Sequence, residues 1–188
     1  MDPRAEIARE RRRLMQVRLA FEQALDGSGA ADGERLGFYL ACGDYLRFSM
    51  ERLHRQDQLI HDYLKERLPA ADAEAHQRLD ELQRRQAKSR ELMAGFGEQL
   101  EALRAAGRDG VAAFAAAARD FLARFKALLA PRKNPFAAQT DQLFGPVDWV
   151  RIAGVSDASL AEEAALFAAV CASAPAGIDP ESLEVRHH

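Results

Sequence analysis

Apolar residues recur every three to four positions along most of this chain, the period of amphipathic helices rather than strands. The first run opens at Asp2-Pro3, a capping carboxylate followed by proline at the first helical position. Ile7, Leu14, Val17, Phe21 and Leu25 share its inner face, and Asp26-Gly27-Ser28-Gly29 ends it. A second helix is predicted from about Asp32 to Leu68. Its stripe of Leu36, Tyr39, Leu40, Leu46, Met50, Leu53, Ile60 and Leu64 follows the seam of bundle helices, and Pro69 stops it. The third helix starts near Asp72, carries Ala75, Leu79, Leu82, Met93, Phe96, Leu100 and Leu103, and terminates at Ala106-Gly107. Asp109 is placed to cap a fourth, with Val111, Phe114, Ala118, Phe121, Leu122, Phe125, Leu128 and Leu129 inward. Pro131 ends or kinks that helix. Short connections force neighbours to be antiparallel, so the expected fold is all-α: an up-down-up-down antiparallel four-helix bundle over residues 2–131.

Beyond Pro131 the periodicity stops. Residues 132–154 hold further prolines and the only tryptophan, and are expected to wrap across the bundle, pinned by Phe136, Leu143, Phe144 and Trp149. Ser159 and Glu162 have capping-box spacing and predict a fifth, short helix through Cys171, with Leu160, Phe167 and Val170 apolar. Residues 132–173 therefore read as a segment packed on the bundle, and 174–188 as a loose tail. No repeat or linker divides the chain, so 1–188 is read as one domain.

Polar residues on an apolar seam are the informative ones. Advancing 100° per residue along the second helix puts Asp57 at the edge of the Leu46, Leu53, Ile60 and Leu64 face. His54 precedes it by three positions and His61 follows by four, so the three could converge on one interior point. Glu10 falls between Ile7 and Leu14 on the first helix, and Gln86 and Ser89 among Leu82, Met93 and Phe96 on the third. Two readings stand side by side. The groups could hold a metal ion, as carboxylate and imidazole side chains from several helices do in bundle metalloproteins. Alternatively they form a structural polar layer, with Asp57 bonded by histidine or paired with Arg11, Arg132 or Lys133. His76, near the start of its helix, is assigned to the surface.

Composition narrows the classes. A net charge of -3 and a pI near 6.0 argue against nucleic acid as a partner. The cluster of Arg9, Arg11, Arg12 and Arg13 is interleaved with Glu6 and Glu10 and reads as a solvated helix face. Cys42 and Cys171 lack metal-site spacing and read as small buried hydrophobes of a reducing compartment. No signal peptide is visible and no apolar run could span a membrane, so a cytoplasmic location is expected. No Walker-type phosphate loop and no nucleophile triad has supporting context. His187-His188 are given no role.

The stretches Tyr45-Leu46, Arg52-Leu53-His54-Arg55-Gln56-Asp57 and Val147-Asp148-Trp149-Val150-Arg151-Ile152-Ala153 resemble the hemerythrin-like (HHE cation-binding) family over about residues 5–153. The resemblance implies a four-helix bundle with histidine and glutamate ligands to iron. His54 matches the family's second-helix histidine, but Gln58 stands at its glutamate, Gln86 at the third-helix histidine, and Leu128 and Arg132 at the fourth-helix pair. The first helix has no histidine. A standard di-iron centre is therefore not expected. The remaining candidate ligands are His54, Asp57, His61 and Glu10, for one iron or zinc ion or for no metal at all.

Three functions follow as expectations. One is a divergent hemerythrin-like protein with a reduced or vestigial metal site, serving as a sensing, ligand-binding or regulatory module. The second is a metalloprotein handling oxygen or a related small molecule at a non-standard site. The third is a helical interaction scaffold with a homodimeric or other protein partner.

Overall fold

The computed structural model describes residues 2–129 and 136–184. They form an all-helical structure with no strand among the described residues. The long helices are α1 (Pro3–Asp26), α2 (Leu36–Arg67), α3 (Ala73–Ala106) and α4 (Val111–Leu129). Caps fall where the side chains predict them. Asp2 accepts from the Arg4 N–H at 3.0 Å, and Asp72 from the Ala75 N–H at 3.0 Å. Asp32 instead caps a 3-10 turn over Gly33–Arg35 that leads into α2. Asp109, expected to cap α4, lies inside another such turn, Gly107–Gly110.

The segment after α4 is more regular than its sequence suggested. It contains α5 (Ala137–Leu143) and α6 (Pro146–Ala153), each too short to display a hydrophobic period. Pro146 sits at the first position of α6, where its missing N–H costs nothing, and the Gly145 N–H donates to Asp148 at 2.9 Å. Gly154 closes α6 in the left-handed conformation, φ 55°, which favours glycine. The last long helix, α7 (Asp157–Ser173), is capped by Ser156 with Ser159 returning the bond, so the cap precedes the predicted Ser159–Glu162 box.

Phe136, Phe144, Phe167 and Val170 are buried, so the described part of the expected wrapping segment is docked. Trp149 is half-buried, lying against Phe144 at 5.6 Å with the Arg4 guanidinium 4.3 Å over its ring. The tail is held too, at least to Glu184. Pro180 is buried, and Gln16 donates to the Glu181 carbonyl at 3.1 Å, which a loose tail would not allow. Arg132, Lys133, Pro131 and His187-His188 lie outside the described residues.

The apolar core falls into two clusters. One gathers Phe21, Tyr39, Tyr45, Leu46, Phe96, Phe114, Phe121 and Phe125. The other gathers Ile7, Leu64, Leu68, Ala75, Leu79, Phe136, Phe144 and Ile152. On α1, α2 and α3 the polar residues between the two clusters include Glu10; Arg52, His54, Gln56 and Asp57; Gln86 and Ser89. Within the first cluster α2 and α3 approach closely. A Cβ added at Gly43 would collide with the side chain of Leu100.

Candidate functional site

The polar belt is built from three groups of side chains. In the first, Glu10 accepts from Arg52 Nε at 3.0 Å and Nη2 at 2.6 Å on one oxygen, and from Gln56 Nε2 at 2.9 Å on the other. Gln56 is only 3% exposed. Arg52 also reaches the Ala153 carbonyl at 3.2 Å, at the C-terminal end of α6 where the helix dipole favours a cation. The end of α6 thereby covers this pair, and α1, α2 and α6 are joined through one guanidinium.

The second group centres on Glu163, 2% exposed on α7. Tyr45 donates to one carboxylate oxygen at 2.7 Å and Arg13 to the other at 2.5 Å. Burial and the neighbouring carboxylate push the Tyr45 hydroxyl well above its ordinary range. Arg13 also lies 4.8 Å over the Phe167 ring. The arginine cluster on α1 is thus only partly a solvated face, since Arg13 is committed to α7.

The third group borders a cavity of about 80 Å³ between α2, α3 and α4, lined by Met50, Leu53, His54, Asp57, Leu82, Arg85, Gln86, Ser89 and Leu128. Its floor is polar. His54 Nε2 lies 2.8 Å from Ser89 Oγ. Arg85 donates to the Leu128 carbonyl at 2.9 Å. Gln86 is 5% exposed, and neither its amide nitrogen nor its oxygen has a hydrogen-bond partner among the described residues. Leaving such groups unmade in an apolar interior costs about 1–3 kcal/mol each. Gln86 is therefore the least satisfied residue of the belt.

Burial disfavours charge on both His54 and Asp57, which line the cavity. Burial and the nearby Arg90 lower the His54 pKa, which favours the neutral imidazole. Burial raises the Asp57 carboxyl pKa although Arg11 and Arg90 oppose that shift. Arg11 stands 3.4 Å from Asp57, a loose contact.

The four candidate ligands do not meet. His54 faces Ser89, Asp57 faces Arg11, and Glu10 is occupied on both oxygens by Arg52 and Gln56. His61, 2% exposed, turns its Nδ1 to Asp62 at 3.1 Å. Seven residues of helix separate His54 from His61 by about 10.5 Å along the axis, too far to share an ion. Among the described residues no group of three or more His, Cys, Asp or Glu side chains could hold a metal. A resident iron or zinc ion does not fit this donor set. Gln58 donates to Asp62 at 2.9 Å rather than lining the cavity.

The sequence pattern located Gln86, Ser89, His54 and Asp57 but not Arg52, Gln56, Tyr45 or Glu163. A signal for Glu163 was available, because it shares helical spacing with Leu160, Phe167 and Val170. No helix is long and apolar enough to cross a membrane among the described residues. No family model matches the chain, and neither a curated protein nor a solved structure matches it.

Proposed function

We propose that this protein is a non-catalytic ligand-binding or sensing module: a divergent, hemerythrin-like up-down-up-down four-helix bundle that uses a hydrogen-bonding cavity in place of a metal centre. The observation that carries this reading is the cavity bordered by His54, Asp57 and Ser89, beside Gln86, a buried carboxamide with no partner among the described residues. A cavity of about 80 Å³ has room for a few waters or for a small polar molecule. The resemblance places His54 and Gln86 at positions that carry iron ligands in the family. The reading is thus of a site whose location is kept while its chemistry has changed from coordination to hydrogen bonding.

The test combines elemental analysis with backbone amide NMR on the full chain. The expected result is no stoichiometric iron or zinc, together with saturable shifts around residues 54, 57, 86 and 89. Those shifts should follow addition of one or more of acetamide, acetate, imidazole and glycerol. Stoichiometric iron, or no saturable shift with any of the four, would overturn it.

A further inference from the structure

We infer that Cys42 of α2 and Cys171 of α7 form a reversible disulfide on exposure to a peroxide, a redox latch that ties α7 to α2. Both thiols are free in this structure. The contacts around them place the two opposite each other. Phe38, Cys42 and Tyr45 are spaced i, i+4 and i+7, so they share one face of α2. Glu163, Phe167, Cys171 and Ala174 recur in the same way along α7 and its end. Tyr45 donates to Glu163 at 2.7 Å, and its ring lies 5.8 Å from that of Phe167. Phe38, two turns earlier on α2, shares the wall of a cavity with Ser173 and Pro175. The two helices therefore run antiparallel, and Cys42 falls opposite the stretch between Phe167 and Ser173 that holds Cys171.

Cys42 belongs to the larger apolar cluster and Cys171 packs against it, with the small side chains Ala41 and Ala174 beside them. A disulfide needs its Cα atoms within roughly 7 Å, and small neighbours at a helix contact permit that approach. Burial, and after it the nearby Cys171 sulfur, push the Cys42 thiol well above its ordinary range. Access assigns the two roles. Cys171 is half-buried, whereas Cys42 is fully enclosed. The Cys171 thiolate takes one oxygen from the peroxide, whose O–O bond breaks, giving a sulfenic acid and hydroxide. The Cys42 sulfur then attacks the Cys171 sulfur. The S–O bond breaks as the S–S bond forms, and the Cys42 proton leaves with the hydroxyl as water. Burial, with Glu181 and Asp179, also raises the Cys171 thiol against the pull of Arg13, so thiolate is scarce and the latch closes faster in mild base. Once made, the bond fixes the end of α7, and the chain running on to buried Pro180, against the first half of α2.

The experiment exposes the reduced full chain to hydrogen peroxide in mildly alkaline buffer and stops the reaction with a thiol-alkylating reagent in denaturant. Intact mass and non-reduced peptide maps are then read by mass spectrometry. The expected product is a monomer two hydrogens lighter, with the Cys42 and Cys171 peptides joined and full reversal by dithiothreitol. Its amide spectrum should stay dispersed, with slower hydrogen exchange along α7. Cys171→Ser should leave Cys42 open to alkylation, and Cys42→Ala should leave Cys171 as a sulfenic acid that dimedone captures. If Cys42→Ala does not fold, the wild-type peptide map and Cys171→Ser decide the matter. A bond between two chains, oxidation of Cys171 with Cys42 still alkylated, or no oxidation of either thiol overturns the latch. So does a Cys42–Cys171 bond made only with loss of the dispersed spectrum.

Discussion

Arg67, near the end of α2, grips Asp148 of α6 with two parallel bonds, 2.7 Å and 2.8 Å long. The same guanidinium lies 4.8 Å from the Tyr63 ring and 5.6 Å from Phe144, so one side chain holds α6 by charge and by stacking. The Arg67 bonds and the Gly145 N–H hold the Asp148 carboxyl down at about 2. A depressed carboxyl pKa contributes stability that is present above the unfolded value and lost as pH falls through the folded one. Asp148→Asn should therefore lower the unfolding midpoint at neutral pH, with the difference from wild type closing between about pH 4 and pH 2. Chemical denaturation across that range checks it, with Trp149 emission reporting whether α6 stays docked.

Asp57 carries the opposite sign. Its carboxyl pKa is raised by burial, so the fold favours the protonated form. That contribution is complete below the unfolded carboxyl pKa and is lost as pH rises through the folded one. Asp57→Asn should raise the melting temperature at neutral pH, and the gain should vanish below about pH 4. A variant less stable than wild type at neutral pH would contradict that role.

The buried Glu163 makes an ordering of mutants predictable. Arg13→Ala leaves its charge uncompensated and should cost about 3–5 kcal/mol. Tyr45→Phe removes one neutral donor and should cost about 1–3 kcal/mol. Glu163→Leu should cost less than Arg13→Ala, because Arg13 is 27% exposed at its side chain and can turn to water. Urea denaturation of the three variants gives the order directly.

The Gly43–Leu100 contact predicts a reversal of sign. Gly43→Ala gains up to about 1 kcal/mol of helix propensity but drives its methyl into fully buried Leu100, an overpacking that costs about 1–3 kcal/mol. The single variant should be destabilised. In a Leu100→Ala background the same change should become stabilising, which a double-mutant cycle measures.

Helix positions were legible in the sequence because α1 to α4 are long enough to display several periods, and α1 to α3 end just before a Gly or Pro. α5 and α6, at 7 and 8 residues, are too short to do so, and their stability comes from the docked Phe136, Phe144 and Ile152. Angular position on a helix correctly placed Gln86 and Ser89 inside. It could not say that Arg52 would reach across to Glu10, since a long side chain extends well beyond the face its Cα occupies. Nor does sharing a face imply sharing a point: His54 and His61 are similarly oriented and two turns apart. Glu163 went unread because a carboxylate among Leu160, Phe167 and Val170 is explained only when Tyr45 and Arg13, distant in sequence, are seen opposite it.

A core interrupted by a polar belt has a kinetic consequence. The cluster around Phe21, Tyr39 and Phe96 is knit by adjoining aromatic rings, whereas the cluster around Leu64 and Leu79 depends on α5 and α6 staying in place. The two ends of α2 should then open as separate units, the Arg67 end at lower free energy than the Tyr39 end. Amide hydrogen exchange would register this as protection decaying along a single continuous helix, with the step falling near His54. A molecule seated in the cavity beside His54, at that step, would tie the opening of one half to the other, so occupancy of the cavity would be felt as cooperativity of the whole chain.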